Sequence, residues 1–157
     1  MTNIEIAKVF HELADMLEMK GENQFKIRAY REASRTFKDL PREAEDMLRE
    51  GENLEQIPGI GEAIARKITE IVDTGHLKLH DELRDEFPAG FLDILSIPGI
   101  GPKVAMRLHT EAGVGSVSEL EEAIRDGRVA GMPRMGGKAA QRMMSQIQSA
   151  RAKGHSC

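Results

Sequence analysis

Ile57-Pro58-Gly59-Ile60-Gly61-Glu62-Ala63-Ile64-Ala65-Arg66-Lys67-Ile68 decides the reading of this chain, because it recurs. The second copy begins 40 residues later, as Ile97-Pro98-Gly99-Ile100-Gly101-Pro102-Lys103-Val104-Ala105-Met106-Arg107-Leu108. A degenerate third copy follows after 35 more, as Met132-Pro133-Arg134-Met135-Gly136-Gly137-Lys138-Ala139-Ala140-Gln141-Arg142-Met143. A recurring segment is one supersecondary unit used several times, and it outranks any single motif. Across the copies the apolar positions Ile60, Ile100 and Met135 coincide, and so do the small residues Ala65, Ala105 and Ala140. Pro-Gly-x-Gly is a tight turn whose glycines permit backbone conformations and close approaches that a Cβ would block.

A helix is expected to start near the second glycine of each copy. Its first backbone N–H groups have no partner within the helix. Aided by the helix dipole, those donors form a site for an anion such as a phosphate. Because the grip ignores side chains, it would hold a backbone phosphate whatever the base sequence. Gly59, Ile60 and Gly61, with Gly99, Ile100 and Gly101, are the candidate contacts, and Lys103 and Lys138 add charge early in the second and third helices. This is the pattern of the helix-hairpin-helix, a DNA-binding element without sequence preference. The same turn also suits a plain connection between two packed helices. That plainer role is expected for the third copy, where Arg134 replaces the first glycine and would be strained in a left-handed conformation.

Outward from the repeats, the chain reads as helices punctuated by glycine. Ile4, Ile6, Val9, Phe10, Leu13, Met16 and Leu17 recur at helical steps, with Glu5, Lys8, Glu12 and Asp15 expected mostly outside. Lys20 and Gly21 end that helix. Phe25, Ala29, Tyr30, Ala33 and Phe37 stripe a second helix that stops before Pro41, and a third runs from Arg42 to Arg49. No run of alternating β-branched residues is flanked like a strand, so the fold class is all-α. The softest boundary is Asp85–Gly90. It divides the chain into residues 1–86, with the first repeat at 57–68, and residues 87–157, with the second at 97–108 and the third at 132–143.

With 157 residues, 40% hydrophobic and 31% charged, the chain can build a core and is too apolar for a disordered tail. Its one cysteine, Cys157, forms no internal disulfide, which excludes a bridge-stapled secreted scaffold and makes a reducing compartment the default. No segment reads as a signal peptide or a membrane span, so the expected location is cytoplasmic, nucleoid-associated in a prokaryote. The net charge of −4 argues against nucleic acid until it is resolved by segment. Lys20–Lys38 carries six cations and two anions, Arg125–Lys153 seven cations and one anion, and Asp39–Glu55 seven anions and two cations. Two basic stretches separated by acidic ones fit a protein that binds DNA along one side. Few aromatic residues are present to stack on bases, so base-specific readout is not expected. His11, His76, His80, His109 and His155 show no metal-ligand spacing beyond His76/His80, four residues apart.

The order of elements resembles the N-terminal part of X-family DNA polymerases, the group of DNA polymerase beta and bacterial and archaeal PolX. Phe25-Lys26-Ile27-Arg28-Ala29-Tyr30-Arg31-Glu32-Ala33 and the first two repeats carry the likeness, which covers essentially the whole chain. The resemblance implies a lyase-type domain that binds DNA ends, followed by a fingers subdomain. It implies gapped, nicked or 5′-ended DNA as partner, and a polymerase or repair protein as a second one. It also implies a Na⁺ or K⁺ ion at the backbone oxygens of Glu55, Ile57 and Ile60 and of Leu95, Ile97 and Ile100, with no cofactor required. In the family a palm with three metal-binding aspartates follows. Here Asp126 is the only acidic residue after Glu122, so this chain alone is not expected to polymerise DNA.

The resemblance further places Lys67 where eukaryotic relatives carry a lysine that attacks the sugar aldehyde of an abasic 5′ end. That amine forms a Schiff base, and β-elimination then removes the deoxyribose phosphate. Lys26 and Tyr30 match positions around the 5′ phosphate, and Arg66 and Lys26 are cations able to lower the pKa of Lys67. Against catalysis, Arg107 and Arg142 occupy the equivalent of Lys67 in the other copies, and Ala63 stands where lyase members carry another phosphate-binding lysine. Tyr30 also lies on an apolar stripe, which suits packing as well as contact with phosphate. Four readings result: a DNA-binding module for repair intermediates that grips through Arg66, Arg107 and the hairpin turns, a Lys67 lyase, the N-terminal part of a longer X-family polymerase, or a helical protein-docking module.

Overall fold

A computed structural model of the chain describes residues 1–154, all helix, turn and loop, with no strand among them. His155 and Cys157 lie outside the described residues. Eight α-helices follow one another: α1 (Asn3–Met19), α2 (Gln24–Asp39), α3 (Ala44–Arg49), α4 (Glu62–Thr74), α5 (Lys78–Asp85), α6 (Pro102–Ala112), α7 (Val117–Arg125) and α8 (Gly136–Gly154). Short 3₁₀ segments, Leu54–Gln56 and Phe91–Ser96, precede the first two turns of the repeat. The chain forms two compact units, Met1–Arg84 and the part from Asp85 onward. No helix among the described residues is long and apolar enough to cross a membrane.

In the first unit, α1 and α2 pack as an antiparallel pair. Phe10 stacks on Tyr30 with ring centroids 5.9 Å apart, and Ser34 Oγ donates to the Ala7 carbonyl at 2.7 Å. Phe10, Leu13, Met16, Phe37, Ile68 and Ile71 are fully buried there. The start of α1 is closed by a capping box, in which Thr2 accepts from the Glu5 N–H and Glu5 accepts from Thr2. In the second unit, Phe91, Ile94, Leu108, Leu120 and Val129 make the core. Phe87 stacks on Phe91 at 5.7 Å, and the His109 ring meets Phe91 edge-on at 5.2 Å.

Three expectations are corrected. Ile4 and Phe25 sit on the apolar stripes of α1 and α2 yet are 70% and 78% exposed. Both lie in the first turn of their helix, on a side turned to solvent, while Ile6 and Ile27 close by are buried. Asp15, expected outside, is buried, because Arg31 of α2 brings Nη1 to 3.1 Å from its carboxylate. The third helix starts at Ala44 rather than Arg42. Asn3 intervenes: its Nδ2 donates to the Arg42 carbonyl at 2.6 Å, and its Oδ1 accepts from the Ala44 N–H at 2.8 Å, which sets the helix start.

Candidate nucleic-acid interface

All three copies fold the same turn. The Ile60 N–H donates to the Ile57 carbonyl at 3.0 Å, Ile100 to Ile97 at 3.1 Å, and Met135 to Met132 at 3.1 Å. Each is a proline-led turn whose third residue takes positive φ: Gly59 at 87°, Gly99 at 89° and Arg134 at 63°. The turns hang from buried anchors, Ile57 and Ile60 in one and Ile97 and Ile100 in the other, while the Pro-Gly tips at residues 58–59 and 98–99 are exposed. A backbone fixed at its ends by apolar anchors presents its tip to solvent in one conformation.

Gly61 and Gly101 begin α4 and α6 as N-caps, with φ of −91° and −93°. That is extended backbone open to any residue, and a Cβ at either position would meet nothing within 4 Å. Neither conformation nor internal packing calls for glycine there. Elsewhere the chain closes helix starts with side chains, Thr2 on α1, Asn23 on α2 and Ser116 on α7. At α4 and α6 no side chain caps the first turn. The starts of α4 and α6 are thus left with bare donors and smooth backbone, which is what a close-approaching anion requires.

Ion pairing sorts the cations. Arg66 is tied to Glu62 one turn before it, and Arg107 is held by Glu111 at 2.8 Å and by the carbonyl of Pro133. Both pairs are spaced i, i+4, a signal readable in the sequence. Lys26, with Arg28, Arg35 and Lys38 on the same helix, has no ion pair or hydrogen bond among the described residues. Lys103 of α6, Arg134, and Lys138 and Arg142 of α8 are likewise unpaired. The unpaired cations thus gather on α2 and around the second and third turns, inside the two basic stretches of the sequence.

Lys67 is half-buried on α4, its Nζ 5.9 Å from the centroid of the Tyr30 ring. Tyr30 itself is buried, and burial pushes its hydroxyl pKa upward. Lys67 and Tyr30 stand 37 positions apart in the sequence, and the packing of α4 on the α1/α2 pair brings them together. His76 and His80 do not form a metal site. His76 Nδ1 pairs with Asp81 at 2.9 Å, whereas buried His80 places Nε2 2.7 Å from Glu12 of α1. No cluster of three or more His, Cys, Asp or Glu residues suited to a metal occurs among the described residues. At the turns, the carbonyls of Ile57 and Ile97 already accept one hydrogen bond each, and a carbonyl oxygen keeps a second lone pair for a monovalent cation.

Tandem helix-hairpin-helix is the class that these turns and helices define. Residues 1–77 match the family described as helix-hairpin-helix domain, and residues 91–149 match the SAM-like helix-hairpin-helix tandem. The chain is 28% identical over 143 residues to the DNA polymerase/3′-5′ exonuclease PolX of Bacillus subtilis (strain 168), across 91% of this chain and 24% of that protein. The chain is thus similar to a PolX-type DNA polymerase over most of its own length. The chain spans about a quarter of that relative's length.

Proposed function

We propose that the protein binds DNA through its backbone phosphates, without sequence preference, and that its targets are repair intermediates such as gaps, nicks and 5′ ends. The observation that carries this reading is the pair Gly61 and Gly101. Both are glycines with no internal reason to be glycine, each at an uncapped helix start beside an exposed Pro-Gly tip. A phosphate seated there meets two or three backbone N–H donors and the positive end of a helix dipole. Lys103 stands unpaired in the first turn of α6 to add charge. In α4 the corresponding place holds Ala63, and its neighbour Glu62 puts a carboxylate in the first turn whose charge is offset by Arg66. The second hairpin is accordingly the stronger anion site. A monovalent cation on the turn carbonyls, shared with a phosphate oxygen, would deepen the same grip.

Gel shift or fluorescence anisotropy on intact, nicked and gapped duplexes tests the reading. Tighter binding to the interrupted duplexes supports it, and equal binding to all three removes the preference for repair intermediates.

One observation favours a second activity at the first hairpin. Lys67 is the cation of α4 without a carboxylate partner among the described residues, and it is half-buried against an aromatic ring. A lysine so placed can add to the C1′ aldehyde of an abasic sugar, expelling water to give a Schiff base. Loss of a C2′ proton then releases the 3′ phosphate, and hydrolysis of the imine restores the amine. Borohydride added to protein and incised abasic DNA reduces the imine to a stable adduct. Adduct formation that disappears in Lys67→Ala supports the lyase, and no adduct with the unaltered chain rejects it.

A further inference from the structure

Among the three turns, the third should be the dispensable one, since it lacks the glycine that the turn calls for. The structure keeps it nevertheless. Arg134 holds φ at 63°, the one positive φ outside glycine among the described residues. The turn closes with the same hydrogen bond as the other two. Arg107 of α6 donates to the Pro133 carbonyl and so fastens the third turn beside the helix of the second hairpin. Between these parts of the second unit runs an open groove, with Pro98 and Gly99 on one wall and Arg134, Lys138, Arg142 and Gln146 on the other.

No carboxylate among the described residues lines that groove. Arg134, Lys138 and Arg142 are exposed and unpaired. Elsewhere in the second unit Arg107, Arg125 and Arg128 each meet a carboxylate. The three cations recur every four residues. Lys138 and Arg142 lie on one face of α8, about 6 Å apart along its axis, and Arg134 leads into that face from the turn. A row of evenly spaced, unneutralised cations beside an exposed Pro-Gly tip complements a sugar–phosphate strand. Its far end is fixed by Arg151 of α8, which reaches buried Glu121 of α7 at 2.5 Å.

We propose that this groove is a second phosphate-binding track. A DNA strand gripped at the Gly99–Gly101 turn continues along α8, with Arg134, Lys138 and Arg142 each neutralising a phosphate. The proposal rests on the DNA-binding reading above and assigns the third copy a role in contact rather than in packing alone. It also accounts for an arginine at a position that favours glycine: the side chain offsets, in binding, the conformational strain of the turn.

Arg134→Gly separates the two roles. A purely structural turn would gain stability from glycine and lose nothing else. The proposal instead expects Arg134→Gly to melt at a higher temperature and to bind DNA more weakly. The experiment uses the full chain with a short fluorescein-labelled duplex and anisotropy over a range of KCl concentrations. The slope of log affinity against log salt should fall in magnitude by about 0.9 for Arg134→Gly, and by about 0.9 per cation in Arg134→Gly/Lys138→Ala/Arg142→Ala. Circular dichroism confirms that these exposed substitutions leave the helices intact. An unaltered chain that binds with its usual slope, and variants that share that slope, overturn the groove while leaving the hairpin reading standing. An unaltered chain that fails to bind at low salt overturns both.

Discussion

Replacing Gly101 by serine should push stability and DNA affinity in opposite directions. The position is the N-cap of α6, in extended backbone at φ −93° and ψ −178°, where an added Cβ would meet no atom within 4 Å. Serine adopts that conformation without strain, and its hydroxyl can accept from the third backbone N–H of the helix, a bond glycine cannot make. The expected gain is a few tenths of a kcal/mol. At roughly 4–8 °C per kcal/mol for a unit of this size, that is a rise of about 1–3 °C in Tm. The same side chain occupies the space a phosphate must enter and competes for the donor it would use. Affinity for a short duplex should therefore drop, and the salt slope should lose about one phosphate contact, roughly 0.9. Scanning calorimetry and anisotropy on one preparation measure both. Serine that raises Tm and leaves binding and slope untouched would refute the argument that the bare helix start is kept for a ligand.

Further outcomes follow from other parts of the structure. Gly99→Ala meets no neighbour within 4 Å but must hold φ near 89°, so it should cost about 1–2 kcal/mol, read as a lower Tm of the second unit. Arg31→Ala should destabilise the first unit by up to about 3 kcal/mol in a denaturant titration, because it leaves the buried Asp15 carboxylate, which Arg31 meets at 3.1 Å, with only His11 Nε2 at 3.3 Å. Burial raises the pKa of Glu12, but its hydrogen bond to His80 and nearby positive charge outweigh this and hold the carboxyl below its ordinary 4.5. A depressed carboxyl stabilises the fold above its unfolded pKa and loses that contribution as pH falls through the folded value. The first unit should weaken as pH drops below about 4.5, less steeply in Glu12→Gln, as thermal melts across that range will record.

Much of this is legible in one sequence because its grammar is local. Pro58-Gly59 and Pro98-Gly99 specify their turns within four residues, and Thr74-Gly75 stops α4 with a left-handed Gly75 at φ 84°. Repetition then supplies what a lone motif lacks, the knowledge of which positions recur. The third turn is the instructive case. Sequence alone marks Arg134 as strained in a left-handed turn, and it does adopt that conformation, held by Arg107 from a helix that sequence spacing does not connect to it. What stays hidden is tertiary. The stripe on α2 includes Phe25, but only the packed pair shows that α1 does not cover it. Asp15 reads as surface until Arg31 arrives from the next helix. The sorting of cations is half visible, since Glu62/Arg66 and Arg107/Glu111 stand at helical spacing, whereas the unpaired state of Lys138 and Arg142 depends on what the fold keeps away from them.

The most direct test of the central claim is the salt dependence of binding by the unaltered chain to two duplexes of equal length and unrelated sequence. Phosphate capture by the hairpins predicts equal affinities for the two, and a straight line of log affinity against log salt that falls by about 0.9 for each phosphate held. A flat line, or a clear preference for one sequence, would contradict it.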